Sequence, residues 1–322
     1  MSLPQCLVAF VIMIGLFLGL SVAVAEEAPK CAPLSTLGER PLETTTCFVG
    51  SFKSESLFSR EIPLTVIAPE GYSKTNAIPY AIFLHGRGGN ENQILEVQAL
   101  SALEKAVKDT GRKFLIVAPA GGNHYWVNAA ISGEKWGDMV VKDLVAHIEK
   151  TFAVRKGASN RALFGISMGG HGTLQLALNN PGVFRTGLAL SPVFRSAQDI
   201  WTPTNPNGQP EEDYDSFGEG ENYRARSARA LCERVSPAPA PCLPFANFKL
   251  EIGDDDPLLD QIPDTRAFIE ELSRRHPGRV SISACLNEKI CSEDAECNGH
   301  THSFWRCQMP SQLDWLARNL GR

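Results

Sequence analysis

The chain has 322 residues, of which 43% are hydrophobic, and it carries a formal net charge of −5 at pH 7. This length and apolar content are sufficient to bury a large core, so a single α/β domain can account for the sequence. Because there is no basic excess, no nucleic-acid partner is expected.

The N-terminal segment has the pattern of a secretory signal peptide. Residues 7–25 are almost wholly apolar and end in the small-x-small triplet Ala23-Val24-Ala25. We therefore predict a signal peptide over residues 1–25, a secreted or periplasmic mature protein, and no stable membrane span after cleavage. Because no Lys or Arg precedes Lys30, an N-terminal membrane anchor is the alternative.

The cysteine count agrees with export. Eight cysteines follow Cys6, and they fall in three local groups. An even number in local groups is typical of disulfides formed in an oxidising compartment. Local pairing would join Cys31 to Cys47 and Cys232 to Cys242. Two further bonds would form among Cys285, Cys291, Cys297 and Cys307.

Apolar runs alternate with helical periodicity along the rest of the chain. This alternation predicts an α/β fold with a mostly parallel sheet and helices on both faces. The predicted strands lie at 61–69, 78–84, 113–118, 162–164, 186–190, 248–252 and 280–285. The predicted helices lie at 94–107, 141–152, 170–178, 265–273 and 311–320.

One segment, at about 196–244, interrupts the alternation with acidic, basic and Pro-rich stretches. We predict that it is an excursion over the C-terminal edge of the sheet, pinned by Cys232 and Cys242, with its charges on a solvated face. The mature chain then divides into an N-terminal extension at 26–58 and a main domain at 59–322 that contains this insertion.

The pentapeptide Gly165-Ile166-Ser167-Met168-Gly169 lies between a predicted strand and a predicted helix. Strand, tight turn and helix are the context that a nucleophile elbow requires. The glycines remove Cβ atoms that would clash at such a turn. The helix that follows directs backbone N–H groups at a developing oxyanion. Ser167 is therefore the candidate nucleophile.

A serine nucleophile needs a base, and the base needs an orienting carboxylate. In a hydrolase of this topology the chain order is serine, acid, histidine. Three carboxylates, Asp254, Asp255 and Asp256, follow the strand predicted at 248–252. Two histidines, His300 and His302, follow the last predicted strand. From the residues alone, the acid is one of the three aspartates and the base is one of the two histidines.

A zinc site is the alternative interpretation of the cysteine-rich C-terminal part. Its ligands would come from Cys291, Cys297, His300, His302 and Cys307. Because no C-x-x-C pair is present, and because an exported thiol is more readily oxidised than bound to metal, we favour disulfides. No metal or organic cofactor is expected.

The loop after the strand at 78–84 is rich in glycine and begins with His85. Its backbone could supply an oxyanion donor, and we predict the N–H groups of Arg87 and Met168 for this role.

We favour a structural role for His85 in the loop over a role as a second base. His85 and Trp126 are the candidate substrate-binding residues. Trp126 would form a flat apolar wall for an acyl group, and packing in the core is its alternative role.

Several ordered motifs are together specific for a family. They are Leu84-His85-Gly86-Arg87-Gly88-Gly89, Phe164-Gly165-Ile166-Ser167-Met168-Gly169-Gly170, Leu190-Ser191-Pro192, Gly253-x-x-Asp256, and Gly299-His300 with Trp305 five residues on. On these motifs the stretch at about 63–319 resembles the Putative esterase family of the α/β-hydrolases. That family includes esterase D (S-formylglutathione hydrolase), feruloyl and acetylxylan esterases, tributyrin and enterochelin esterases, and mycolyltransferases.

The resemblance implies the α/β-hydrolase fold and a choice among the candidate residues. It implies Ser167 as nucleophile, Asp256 as the acid and His300 as the base, with Arg87 and Met168 as the oxyanion donors. The expected function is an exported serine carboxylesterase for short-chain or aromatic acyl esters, either small or polymer-linked. An acyltransferase that uses an alcohol acceptor is one alternative, and a non-catalytic binding protein on the same fold is another.

Overall fold

A computed structural model of the chain describes residues 29–197, 211–285 and 297–322. The predicted signal peptide, residues 198–210 of the predicted insertion, and Cys291 lie outside these ranges.

One mixed sheet of nine strands runs through the described residues, in the order β1-β2-β3-β5-β4-β6-β7-β8-β9. From β5 to β9 the neighbouring strands are parallel, whereas β3 runs antiparallel to both β2 and β5. The predicted mostly parallel sheet is thus confirmed. The strands are β1 Ala32–Pro33, β2 Thr46–Ser54, β3 Arg60–Ala68, β4 Tyr80–Leu84, β5 Leu115–Pro119, β6 Arg161–Ile166, β7 Thr186–Leu190, β8 Asn247–Gly253 and β9 Val280–Ser283.

Helices connect most of these strands. The α-helices of the described residues are α1 Gln93–Glu96, α2 Ala99–Thr110, α3 Trp136–Asp138, α4 Val145–Thr151, α5 Met168–Asn179, α6 Glu212–Phe217, α7 Glu221–Arg226, α8 Ala228–Val235, α9 Leu258–Gln261, α10 Pro263–Arg275 and α11 His302–Asn319. A π-helical stretch, Met139–Leu144, joins α3 to α4, and short 3-10 turns occur at Leu34–Thr36, Glu55–Leu57 and Ala158–Asn160.

The sheet separates two apolar cores. Along β4 the side chains alternate, so that Ile82 and Leu84 join one core and Ala81 and Phe83 join the other. The first core is covered by the α3–α4 stretch, α5, α8 and α10, and the second by α1, α2 and α11. Both faces of the central strands are buried, which explains their continuous apolar sequences.

The described part of the predicted N-terminal extension belongs to this sheet. Strand β2 pairs antiparallel with β3 along its whole length, and β1 adds to the outer edge of β2. A disulfide joins Cys31, directly before β1, to Cys47 on β2. The extension therefore widens the sheet on the side away from β9.

The predicted disulfides are found where both partners are described. Cys232 is bonded to Cys242, which closes the end of the insertion, and Cys285 is bonded to Cys307. Cys297 is also disulfide-bonded. The zinc alternative is therefore wrong, because two of its proposed thiolate ligands, Cys297 and Cys307, are consumed in disulfides.

Of the helices in the described ranges, none combines the length and the apolar character needed to span a bilayer.

Candidate active site

Ser167 occupies a sharp turn between β6 and α5, with φ 54° and ψ −118°. Such a backbone conformation is costly for a non-glycine residue and is typical of a nucleophile elbow. The two flanking glycines are required because a side chain at either position would clash with neighbouring backbone. A Cβ at Gly165 would lie 2.5 Å from the carbonyl carbon of Gly169, and one at Gly169 would lie 1.9 Å from the carbonyl oxygen of Leu84. The pentapeptide therefore folds so tightly that only glycine fits at both positions.

A histidine and a carboxylate follow the serine in one hydrogen-bonded row. His300 Nε2 lies 2.7 Å from Ser167 Oγ, and His300 Nδ1 lies 2.9 Å from Asp256 Oδ2. Because the carboxylate accepts a hydrogen bond from Nδ1–H, the neutral imidazole presents Nε2 as an acceptor toward the serine hydroxyl. In this arrangement the imidazole can take the proton of the serine.

Burial distinguishes the three adjacent aspartates. The side chain of Asp256 is fully buried, and its second carboxylate oxygen accepts the Leu258 backbone N–H at 3.0 Å. Asp254 and Asp255 are exposed. Only Asp256 of the three reaches the imidazole of His300, and its two oxygens are each held by a donor.

The second candidate histidine lies away from the serine. His302 begins α11, and its Nε2 is 3.1 Å from a carboxylate oxygen of Glu96 and 3.4 Å from Gln93 Nε2. Both His300 and His302 pack edge-on to the ring of Trp305. The structure thus separates two histidines that the sequence alone left equivalent.

The glycine-rich loop after β4 packs directly against the serine. A Cβ at Gly86 would lie 3.3 Å from the Cβ of Ser167. The backbone N–H of Gly86 donates to Gln93 Oε1 at 2.7 Å, and that of Gly88 donates to Asn123 Oδ1 at 2.7 Å. Within the described ranges, no acceptor is hydrogen-bonded to the backbone N–H of Arg87, which lies between them, or to that of Met168. Both N–H groups can therefore receive an oxyanion.

His85 is a structural residue of this loop. It is almost completely buried, its Nε2 accepts the Gly121 N–H at 2.9 Å, and its Nδ1–H donates to the carbonyl oxygen of Gly86 at 2.7 Å. Burial lowers the pKa of His85 to about 4, against the opposing effect of its hydrogen bond to Gly86. Both ring nitrogens are hydrogen-bonded to backbone groups, which is the structural role that the sequence favours for His85.

Trp126 is also buried, which corrects the expectation of an apolar wall. Its side chain has no exposed surface, and its Nε1–H donates to the carbonyl oxygen of His85 at 3.1 Å. The ring fills space that a Cβ at Gly121 would enter, with 2.2 Å to the nearest ring atom, and it packs against Gly172 on α5. Trp126 therefore packs in the core beneath the loop that begins at His85, which is the alternative role predicted from the sequence.

The insertion contributes charged residues that the sequence did not link to the site. The Arg87 side chain forms ion pairs with Glu212 and Asp213 at the start of α6, and Arg195 lies 3.4 Å from Asp213. These acidic side chains were expected on a solvated face. No local pattern could have predicted the pairing, because 125 positions separate Arg87 from Glu212.

The mostly parallel sheet, the strand–turn–helix at Ser167 and the helices on both faces define an α/β-hydrolase fold. Residues 54–316 match the family described as "Putative esterase". The chain therefore belongs to this family of ester-hydrolysing enzymes.

Solved structures share this fold at low sequence identity. The fluorophosphonate-binding serine hydrolase FphF of Staphylococcus aureus aligns with a TM-score of 0.65 and 18% identity, over 85% of this chain and 99% of that chain. An S-formylglutathione hydrolase from Agrobacterium tumefaciens aligns with a TM-score of 0.63 and 19% identity, over 87% and 97%. A CE1 ferulic acid esterase from Anaeromyces mucronatus aligns with a TM-score of 0.58 and 16% identity, over 90% and 96%.

A curated relative is similar over a shorter region. Esterase Rv1288 of Mycobacterium tuberculosis (strain H37Rv) is 26% identical over 125 residues, which is 38% of this chain and 27% of that protein. The chain thus spans about a quarter of the length of this relative, as it does of Esterase MT1326 from strain CDC 1551 of the same species.

Proposed function

We propose that this protein is an exported serine carboxylesterase in which Ser167 is the nucleophile, His300 the general base and Asp256 the orienting carboxylate. The observation that carries the proposal is the row of hydrogen bonds from Asp256 through His300 to Ser167, at 2.9 and 2.7 Å, on an esterase fold. The positive φ of Ser167 supports it further, because strained backbone of this kind is maintained mainly at functional sites.

The proposed reaction begins with proton transfer from Ser167 Oγ to His300 Nε2 as the oxygen attacks the ester carbonyl carbon. The carbonyl oxygen becomes an oxyanion, which accepts hydrogen bonds from the backbone N–H groups of Arg87 and Met168. The C–O bond to the alcohol then breaks, and His300 returns the proton to the departing alkoxide oxygen. The buried carboxylate of Asp256 stabilises the imidazolium that exists between these two transfers.

Water completes the cycle in the proposed mechanism. It attacks the acyl-enzyme carbonyl carbon while His300 accepts one of its protons, and the second tetrahedral intermediate expels Ser167 Oγ, which recovers that proton. The products are a carboxylic acid, an alcohol and the free enzyme. Side chains, backbone N–H groups and water account for every proton and bond in this sequence, so the proposal names no cofactor.

Export is the second part of the proposal. It rests on the predicted signal peptide at 1–25 and on the disulfides, which are typical of oxidising compartments. Intact-mass measurement of the natively produced protein should give a chain that begins at Glu26 and has no free thiol. A chain that retains its first 25 residues would instead support the membrane anchor.

For the substrate, we propose small acyl esters. One structural neighbour is a ferulic acid esterase, which acts on an aromatic acyl ester, and another is an S-formylglutathione hydrolase, which acts on a thioester. A preference for aromatic acyl groups no longer has the support of Trp126, because that ring is buried. A panel of acetyl, butyryl, octanoyl and feruloyl esters would rank these classes.

The decisive experiment combines p-nitrophenyl acetate hydrolysis with labelling by a fluorophosphonate probe. Wild type should hydrolyse the ester and label at one serine, whereas Ser167→Ala should do neither and keep its fold by circular dichroism. Ser101→Ala, which removes an exposed hydroxyl on α2, is the matched control and should behave as wild type. Undiminished labelling of Ser167→Ala would reject Ser167 as the nucleophile.

A further inference from the structure

The insertion is fastened to the candidate oxyanion loop by side chains. The guanidinium of Arg87 forms ion pairs with both Glu212, at 3.1 Å, and Asp213 on α6. Asp213 is the better enclosed of the two carboxylates, with 16% of its side chain exposed against 46% for Glu212. Arg87, the proposed oxyanion donor, therefore has its side chain bound by two carboxylates of the insertion.

Other contacts tie α6 to the same edge. Asn123 accepts the Gly88 N–H through its Oδ1 at 2.7 Å, and its Nδ2–H donates to Glu212 at 3.3 Å. The second carboxylate oxygen of Asp213 lies 3.4 Å from Arg195 Nε. Asp213 thus bridges two arginines, one on the oxyanion loop and one on the segment that follows β7.

In this loop the backbone N–H groups of Gly86, Gly88 and Gly89 are each hydrogen-bonded, whereas the N–H of Arg87 has no acceptor in the described ranges. Three of its four residues at positions 86–89 are glycines, and Gly88 has φ +75°. Glycine has more backbone freedom than any other residue, so a loop of this composition depends on its neighbours for a defined geometry. Arg87 is the one residue of these four with a side chain that an external group can hold. Exposed ion pairs contribute little to stability, but a pair at this position can fix an orientation.

We infer that Asp213 is a positioning residue: through the Arg87 side chain it holds the Arg87 backbone N–H in the direction of the oxyanion. This inference rests on the proposed function and extends it, because it makes the insertion part of the device that stabilises the transition state. Asp213 does not touch the substrate in this role. Its carboxylate acts on catalysis only through Arg87.

We call the ion pair between the side chains of Arg87 and Asp213 the tether. Substitutions can remove it without removing the oxyanion donor, because every residue except proline keeps a backbone N–H at position 87. The variants are Asp213→Asn, Asp213→Glu, Arg87→Ala and the double variant Arg87→Ala/Asp213→Asn. Glu221→Gln is the matched control, since Glu221 forms an exposed ion pair with Arg224 on α7 of the same insertion. Each is assayed for kcat and KM with p-nitrophenyl acetate, and hydrogen–deuterium exchange is followed in the peptide that contains residues 86–89.

Asp213→Asn and Arg87→Ala should each lower kcat about tenfold with little change in KM, because a misdirected donor weakens transition-state binding more than substrate binding. The double variant should be no worse than either single variant, since both remove one tether. Asp213→Glu should recover most of the loss, and Glu221→Gln should match wild type. Exchange at 86–89 should rise in Asp213→Asn, in Arg87→Ala and in the double variant, and it should stay at the wild-type level in Glu221→Gln.

The outcomes separate the tether from the esterase proposal. An unchanged kcat in Asp213→Asn, or losses that multiply in the double variant, would overturn the positioning role. Unchanged exchange at 86–89 would overturn it as well, whether or not the wild type is active. If the wild type hydrolyses no ester while exchange rises as expected, the proposed function fails and the tether stands.

Discussion

His300 Nε2 and Ser167 Oγ lie 2.7 Å apart, although 133 positions of sequence separate the two residues. The sheet explains this contact. Strands β6, β7 and β8 are parallel neighbours, so the segments that leave their carboxyl ends meet at one edge. Ser167 follows β6, Asp256 follows β8, and His300 returns to the same edge just before α11.

The two histidines should respond differently to substitution. His300→Ala should lower kcat by on the order of 10³-fold or more, because the serine then has no proton acceptor. His302→Ala should be much milder, since His302 contacts Glu96 and Gln93 and lies away from Ser167. Steady-state kinetics with p-nitrophenyl acetate would measure both. The reverse ranking would move the base by two residues.

The three aspartates allow a second comparison. Asp256→Asn should lower kcat by several orders of magnitude, because an amide at this position does not hold His300 in the tautomer that accepts the serine proton. Asp254→Asn is the matched control on the same turn and should retain activity, because the side chain of Asp254 is exposed. A wild-type kcat in Asp256→Asn would show that His300 needs no charged group to orient it.

The central strands and the serine turn could be predicted from local sequence. Strands β4 to β7 are short, largely apolar runs that are buried on both faces of the sheet, and strand β7 has the predicted bounds, Thr186–Leu190. The turn at Ser167 could be predicted because the glycine-flanked serine lies between an apolar strand and a helical segment. In each case the signal lies within a few residues of chain.

Other features depend on contacts between distant segments. The sequence predicts the last helix at 311–320, whereas α11 begins at His302 and includes Pro310, a residue that disfavours a helix interior. Burial of Phe304, Met309 and Leu313 against the sheet outweighs the cost of the proline. The burial of Trp126 likewise depends on Gly121 and Gly172, which no periodicity brings near it.

Trp126→Ala should chiefly destabilise the protein. The ring is fully buried and packs against Gly121 and Gly172, so its removal leaves a large cavity and should cost about 3–5 kcal/mol in the free energy of unfolding. Urea unfolding followed by circular dichroism would measure the change. Trp315→Ala, at a partly buried ring on α11, is the control and should cost less. A stable Trp126→Ala variant with a raised KM would restore the pocket-wall role.

Removing the Cys232–Cys242 disulfide should loosen the insertion. The bond closes a short loop of sequence separation 10, and loss of both sulfurs in Cys232→Ser/Cys242→Ser should cost about 2–3 kcal/mol by freeing the unfolded chain. The same urea titration would measure this, with reduced wild type as the comparison. If the double variant unfolds at the wild-type midpoint, the bond does not constrain the chain as proposed.

Buried histidines should make the protein less stable in mild acid. Burial lowers the pKa of His85 and of His171 to about 4 in the folded state, from an ordinary value of 6.5. Between these pH values the unfolded chain binds more protons than the folded one, so the free energy of unfolding falls as the pH drops from 6.5 toward 4. Each histidine should contribute up to about 1.4 kcal/mol per pH unit in that window.

A variant of His171 would isolate one of these contributions. His171 packs among the rings of Tyr125, Phe194 and Phe217, and its Nε2 accepts the Ala228 N–H at 3.3 Å. His171→Gln keeps an acceptor but takes up no proton, so its stability should fall less steeply than that of wild type in urea titrations at pH 7, 6 and 5. Ser101→Ala, which changes no titratable group, is the control and should keep the wild-type slope. Equal slopes for wild type and His171→Gln would mean that His171 is already protonated, or never becomes so, across this range.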